Sequence, residues 1–141
     1  MTLHDVRREL ICGLGAMQRC DPKLEADNPI IVALDGKNWD EILPLVDRLR
    51  TTGCVLKVND LLFDQGIAHL LPELSVYGRV MVDLKGHDIP NTIANVCNRI
   101  RAHNPWAVTV HGSGGGEMIE AAVKALEGMD TKVLAVTVLT S

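Results

Sequence analysis

The 141-residue chain lacks the features that mark several large classes of protein. It has no uninterrupted apolar run near the roughly 20 residues that span a bilayer, so no transmembrane helix is expected. It has no basic run and a net charge of −4, which argues against a nucleic-acid or anionic-membrane partner. The N-terminus lacks the charged-then-apolar layout of a signal peptide, and a cytoplasmic location fits best. Its four cysteines, Cys12, Cys20, Cys54 and Cys97, form no Cys-x-x-Cys pair. That spacing speaks against a zinc site or a disulfide framework, and buried thiols are expected instead. Low-complexity stretches are absent as well.

What is present is a repeated unit. Five apolar runs read as strands: Ile30–Leu34, Cys54–Val58, Val80–Leu84, Ala107–Val110 and Val133–Leu139. They are nearly continuous rather than alternating, as parallel strands buried on both faces are. Their first residues, 30, 54, 80, 107 and 133, lie 24, 26, 27 and 26 apart, the length of a strand-loop-helix-loop unit. Between them, Asn38 and Glu41 suit a capping box, and Pro44 should bend that helix or delay its start. Ile93, Val96, Cys97 and Ile100 repeat at helical spacing, as do Met118, Ile119, Ala122 and Leu126. Residues 1–28 read as an N-terminal extension, helical over 4–19.

Two architectures accommodate such units: a five-stranded doubly wound sheet, or part of a (β/α)₈ barrel. Periodicity alone favours the first, because the chain stops after five strands. The strand ends favour the second. Asp35, Lys57, Asp83, Lys85, His111, Thr140 and Ser141 all fall at the carboxyl edge, where parallel β/α folds bind ligands. Asp83 and Lys85, two apart on a strand, face the same way. With Lys57 from the neighbouring unit and Asp88 from the following loop, they make an alternating charge array. Spacing leaves open that this array only holds strand ends together.

The stretch Asp83-Leu-Lys-Gly-His-Asp-Ile-Pro-Asn-Thr92 resembles the Asp-x-Lys-x-x-Asp-Ile-x-x-Thr signature of orotidine 5′-monophosphate decarboxylases. Ile31–Asp35, Lys57-Val58, Val110–Gly115 and Ala135–Ser141 are similar to that family in order and spacing. The resemblance covers 29–141 and implies the N-terminal portion of a (β/α)₈ barrel, about five β/α units. It implies a nucleotide substrate, no metal or organic cofactor, and a homodimer. In that reading Lys85 protonates the pyrimidine, Asp83 lies beside the substrate carboxylate, and Lys57 and Asp35 bind ribose hydroxyls. Ser141 would contact the pyrimidine, Ile89 and Thr92 would join the substrate contacts and Asp88 the catalytic group, with Asp88 and Thr92 reaching across the dimer. Sugar-phosphate decarboxylases and aldolases of the same superfamily share Asp-x-Lys-x-x-Asp but typically carry an acidic residue at the place of Lys57. A non-catalytic, self-associating half-barrel is a third possibility.

Three departures from the family stand out. Asn59 occupies a position that is usually glycine, and Gly86 one that is usually bulky. The chain also ends before the family's last three strands and phosphate grip, so a truncated chain inactive by itself is expected. The glycine-rich segment His111–Glu117 reads as a tight turn before a helix rather than a phosphate loop, with His111 structural and His87 a spacer. Trp39 and Trp106 read as packing or surface-anchor residues.

Overall fold

In the computed structural model, which describes residues 28–139, five parallel strands form one sheet in the order β1-β2-β3-β4-β5. The strands are β1 (Ile31–Ala33), β2 (Val55–Val58), β3 (Arg79–Gly86), β4 (Ala107–His111) and β5 (Lys132–Val136). Between them run α1 (Trp39–Leu49), α2 (Leu61–Gln65) and α3 (Ile67–Ser75), α4 (Pro90–Arg101), and α5 (Gly116–Ala125) after a 3₁₀ turn at Gly112–Gly114. Each strand pairs in parallel with its sequence neighbour. Because parallel crossovers are right-handed, a strand order that always steps the same way puts every helix on one face. A doubly wound sheet reverses direction and covers both faces. The order therefore decides for the winding of a barrel, against the architecture that periodicity favoured.

Side-chain burial follows that geometry. Leu56 and Val58 of β2, Val80 and Val82 of β3, and Val108 and Val110 of β4 pack in one core with Ile42, Val46, Leu70, Leu74, Ile93, Ile100, Met118 and Ala122 from the helices. The alternate residues Val55, Met81 and Ala107 form a separate small cluster with Trp106 and Leu134. The core is thus the helix-facing layer, and the other face is the concave inner side. The expectation that all five strands are buried on both faces holds for the middle three only. Ile31 is exposed in β1, and Lys132 and Ala135 in β5, because these are the two edges of an open sheet.

The local sequence explains the helices. Asn38 Oδ1 accepts the Glu41 N–H and Glu41 Oε2 accepts the Asn38 N–H, which completes the expected capping box. Pro44 does not delay α1, which starts at Trp39. Between β2 and β3 the chain makes two short helices, broken at Gly66, whose φ of 75° suits a residue without Cβ. Pro90 opens α4, where its missing N–H costs nothing. Strand β5 stops at Val136, so Thr137–Leu139 lie beyond the ladder, contrary to the longer run read from sequence. Cys54 and Cys97 are buried free thiols, as expected, whereas Cys12, Cys20 and the helix expected at 4–19 lie outside the described residues. Among the described residues no helix is long and apolar enough to cross a membrane.

Candidate active site

The carboxyl ends of β1, β2 and β3 bring four charged side chains together. Lys57, inward-facing on β2, places Nζ 2.7 Å from Asp35 Oδ2 and 3.1 Å from Asp83 Oδ2. Lys85 Nζ lies 2.8 Å from the same Asp83 Oδ2. Two ammonium groups thus share one carboxylate oxygen whose side chain is only 7% exposed. The other oxygen, Oδ1, accepts a 2.8 Å bond from the Thr109 hydroxyl of β4. Burial works to raise the pKa of Asp83, but the hydrogen bonds from Lys85, Thr109 and Lys57 outweigh it and hold the carboxyl below its ordinary 3.8. Burial likewise works to lower the pKa of Lys57, and its bonds to Asp35 and Asp83 push it above 10.5. Lys57 is thus an ion at neutral pH, and so is Asp83.

The aim of Lys85 depends on an irregular backbone. Strand β3 pairs Val82 with Val108 and then Gly86 with Val110, so residues 83–85 face Thr109 alone. Within this bulge Lys85 has φ 49°, the left-handed region that a residue with a Cβ adopts at a cost of about 1–2 kcal/mol. Alternation along a regular strand would put residues 83 and 85 on one face; here their side chains meet through a bulge instead.

Three residues without an assigned sequence role support the array. Thr109 accepts the Lys85 N–H at 2.8 Å as well as bonding Asp83. Asn59 Nδ2 donates to the Asp83 carbonyl at 2.8 Å, so the residue in place of the usual glycine clamps the end of β2 to β3. Asp60 Oδ2 accepts the Gly36 N–H at 2.8 Å, which ties the loop carrying Asp35 to the start of α2. The available signal for Thr109 was a hydroxyl at an inward position of an otherwise apolar strand.

Other expected members stand apart. Asp88 is exposed and, among the described residues, accepts the Ile89 N–H rather than joining the array, and Ile89 is 65% exposed. Thr92 is half-buried in the first turn of α4. Thr140 and Ser141 lie outside the described residues. His111 Nδ1 accepts the Ser113 N–H and so caps the 3₁₀ turn, with the Ser113 hydroxyl at 2.6 Å. His87 is more than a spacer, for its ring stacks on His111 with centroids 5.1 Å apart. Gly86 leaves room that Ile93 occupies, with Ile93 Cδ1 3.0 Å from where a Cβ would stand. Among the described residues no group of three or more His, Cys, Asp or Glu side chains is placed to hold a metal ion. A cavity of about 390 Å³ lies at the opposite ends of β3–β5, beside Arg79, Trp106 and Lys132, remote from the array. Both cations there flank the Trp106 ring, a structural arrangement.

A singly wound parallel sheet with a lysine–aspartate array at its strand carboxyl ends is the amino-terminal portion of a (β/α)₈ barrel. The family profile described as orotidine 5′-phosphate decarboxylase / HUMPS family matches residues 28–141. The orotidine 5′-phosphate decarboxylase of Chromobacterium violaceum is 44% identical over 117 residues, covering 81% of this chain and 47% of that protein. That of Chromohalobacter salexigens is 42% identical over 120 residues, covering 83% and 51%. The crystal structure of orotidine 5′-phosphate decarboxylase from Lactobacillus acidophilus superposes with a TM-score of 0.71 at 35% identity, covering 81% of this chain and 55% of that one. The chain belongs to the orotidine 5′-phosphate decarboxylase / HUMPS family. It spans about half the length of the curated relatives it matches.

Proposed function

We propose that the chain supplies the amino-terminal part of a site that converts orotidine 5′-monophosphate to uridine 5′-monophosphate, in pyrimidine biosynthesis in the cytoplasm. The observation that carries this reading is the pair of lysine ammonium groups, Lys57 and Lys85, held on one oxygen of a buried Asp83. The bond from C6 to the carboxylate breaks, carbon dioxide leaves, and the electron pair stays on C6. An ammonium fixed beside that carbon stabilises the developing charge electrostatically, and Lys85 then delivers its proton to C6. Asp83 lies beside the substrate carboxylate and holds the Lys85 ammonium in place through their 2.8 Å contact. Lys57 and Asp35 hold ribose hydroxyls, and Ser141 meets the pyrimidine edge. The reaction needs no metal or organic cofactor. Asp88 and Thr92 serve the second subunit of a homodimer, and Ile89 joins the substrate contacts. The exposure of Asp88 and Ile89, and of Phe63 at 80% on α2, supports that assignment.

The test is loss of orotidine 5′-monophosphate absorbance with the chain, alone and mixed with the C-terminal half of a relative's barrel. Turnover that Lys85→Ala abolishes supports the reading; its absence in both arms, with substrate shown to be intact, sinks it. The open edges favour one second reading, a non-catalytic half-barrel that self-associates. Ile31 at β1 and Val138 and Leu139 after β5 are exposed apolar groups that a second copy would cover. Sedimentation showing monomers at all concentrations would exclude it.

A further inference from the structure

Thr109 faces the bulge in β3 alone, opposite residues 83–85. Its hydroxyl makes two bonds of 2.8 Å, to the Lys85 N–H and to Asp83 Oδ1. The direction of both follows from the donor inventory. A backbone N–H only donates, so the oxygen accepts from Lys85 and its single proton goes to the carboxylate. The residue is 2% exposed, too deep for water to replace either bond freely. We propose that Thr109 is a positioning residue for the decarboxylation proposed above, fixing the bulge that carries Lys85 and the plane of the Asp83 carboxylate.

Two consequences follow from this one hydroxyl. Anchoring the Lys85 N–H replaces the ladder bond that the bulge removes, and so holds the left-handed φ of 49°. Engaging Oδ1 leaves Oδ2 as the oxygen that meets both Lys57, at 3.1 Å, and Lys85, at 2.8 Å. Rotation of the carboxylate would move both ammonium groups together. Valine has the shape of threonine and can make neither bond, whereas serine can make both. A residue that merely filled β4 would tolerate valine better than serine, because β-branched side chains suit strands.

The proposal rests on the decarboxylase reading, and its test separates the two. On the chain itself, NMR follows the exchange of the Lys85 amide and the titration of the Asp83 carboxyl. The Lys85 amide is expected to be protected, Thr109→Val to speed its exchange at least tenfold, and the Asp83 carboxyl of that variant to titrate at higher pH. Thr109→Ser should keep both signatures. In the decarboxylation assay Thr109→Val should lower kcat by roughly 100-fold, as a misplaced group does, with KM little changed. Thr109→Ser should recover most of that loss. An unaltered Lys85 amide and Asp83 titration in Thr109→Val would overturn the proposal, as would kcat and KM shifting together. If Thr109→Val does not fold, an unprotected Lys85 amide in the unsubstituted chain overturns it equally. If the unsubstituted chain shows no turnover, the decarboxylase reading fails while exchange and titration still decide what the hydroxyl holds.

Discussion

Asp83 carries two ammonium groups on one oxygen, and removing its charge would leave two cations facing each other across a partly desolvated space. Asp83→Asn is therefore expected to lower unfolding free energy by about 3 kcal/mol, read from urea denaturation. An unchanged midpoint would mean that the array is solvated and weak. The pH dependence has a definite sign on each side. The depressed pKa of Asp83 gives stability that is present above 3.8 and lost as pH falls through the lower folded value. The raised pKa of Lys57 gives stability that is present below 10.5 and lost as pH rises through the higher folded value. Unfolding free energy measured across pH should thus lose the Asp83 contribution only below 3.8 and the Lys57 contribution only above 10.5. Backbone strain can be separated from charge at Lys85. Lys85→Gly and Lys85→Ala both delete the ammonium, but glycine accepts φ 49° freely. The glycine variant is expected to be more stable than the alanine variant by about 1 kcal/mol in the same denaturation experiment.

The elements hold the site through their ends. Helix α1 is capped by Asn38, three residues after Asp35, and its capping box fixes where that loop stops. Asn38→Ala should cost about 1 kcal/mol of stability in thermal or urea unfolding. Helix α5 is set by the glycine-rich turn behind β4. A Cβ on Gly114 would overlap the thioether of Met118, itself a buried core residue, and would also approach His87. Gly114→Ala is accordingly expected to destabilise by about 1–3 kcal/mol, and a second substitution that shortens Met118 should recover part of it. No recovery would place the cost in the backbone of the turn rather than in packing.

Among the described residues the molecule has a helix-covered outer face, an inner face that carries the charge array, and two open sheet edges at β1 and β5. Lys57, Asp83 and Thr109 project from that inner face, beyond the small cluster of Val55, Met81 and Ala107. A sheet with free edges of exposed Ile31 on one side and Val138 and Leu139 on the other recruits strands from other chains. The chain alone should show concentration-dependent association in sedimentation, and Ile31→Lys should weaken it. Addition of the C-terminal half of a relative's barrel should compete with that association and raise the Tm. A Tm independent of the added half would count against complementation.

The sequence by itself determined the unit and most of the array. Continuous β-branched runs at a near-constant period specify parallel β/α units, and charged residues at their carboxyl ends specify one functional edge. Asp35, Lys57, Asp83 and Lys85 were legible for that reason, since position along a strand fixes the end and the face. Tertiary structure alone decided the rest. Strand order selected a barrel winding over a doubly wound sheet, because repeat length is the same in both. Pairing register created the bulge that puts Lys85 at φ 49° and sets Thr109 between two charged neighbours, and no single strand encodes its register with the next. Asn59 and Asp60 gained their partners in the same way, across strands rather than along them. Asp88 reads as a member of the array along the chain, yet the fold turns it outward just before α4, where among the described residues it bonds the Ile89 N–H instead.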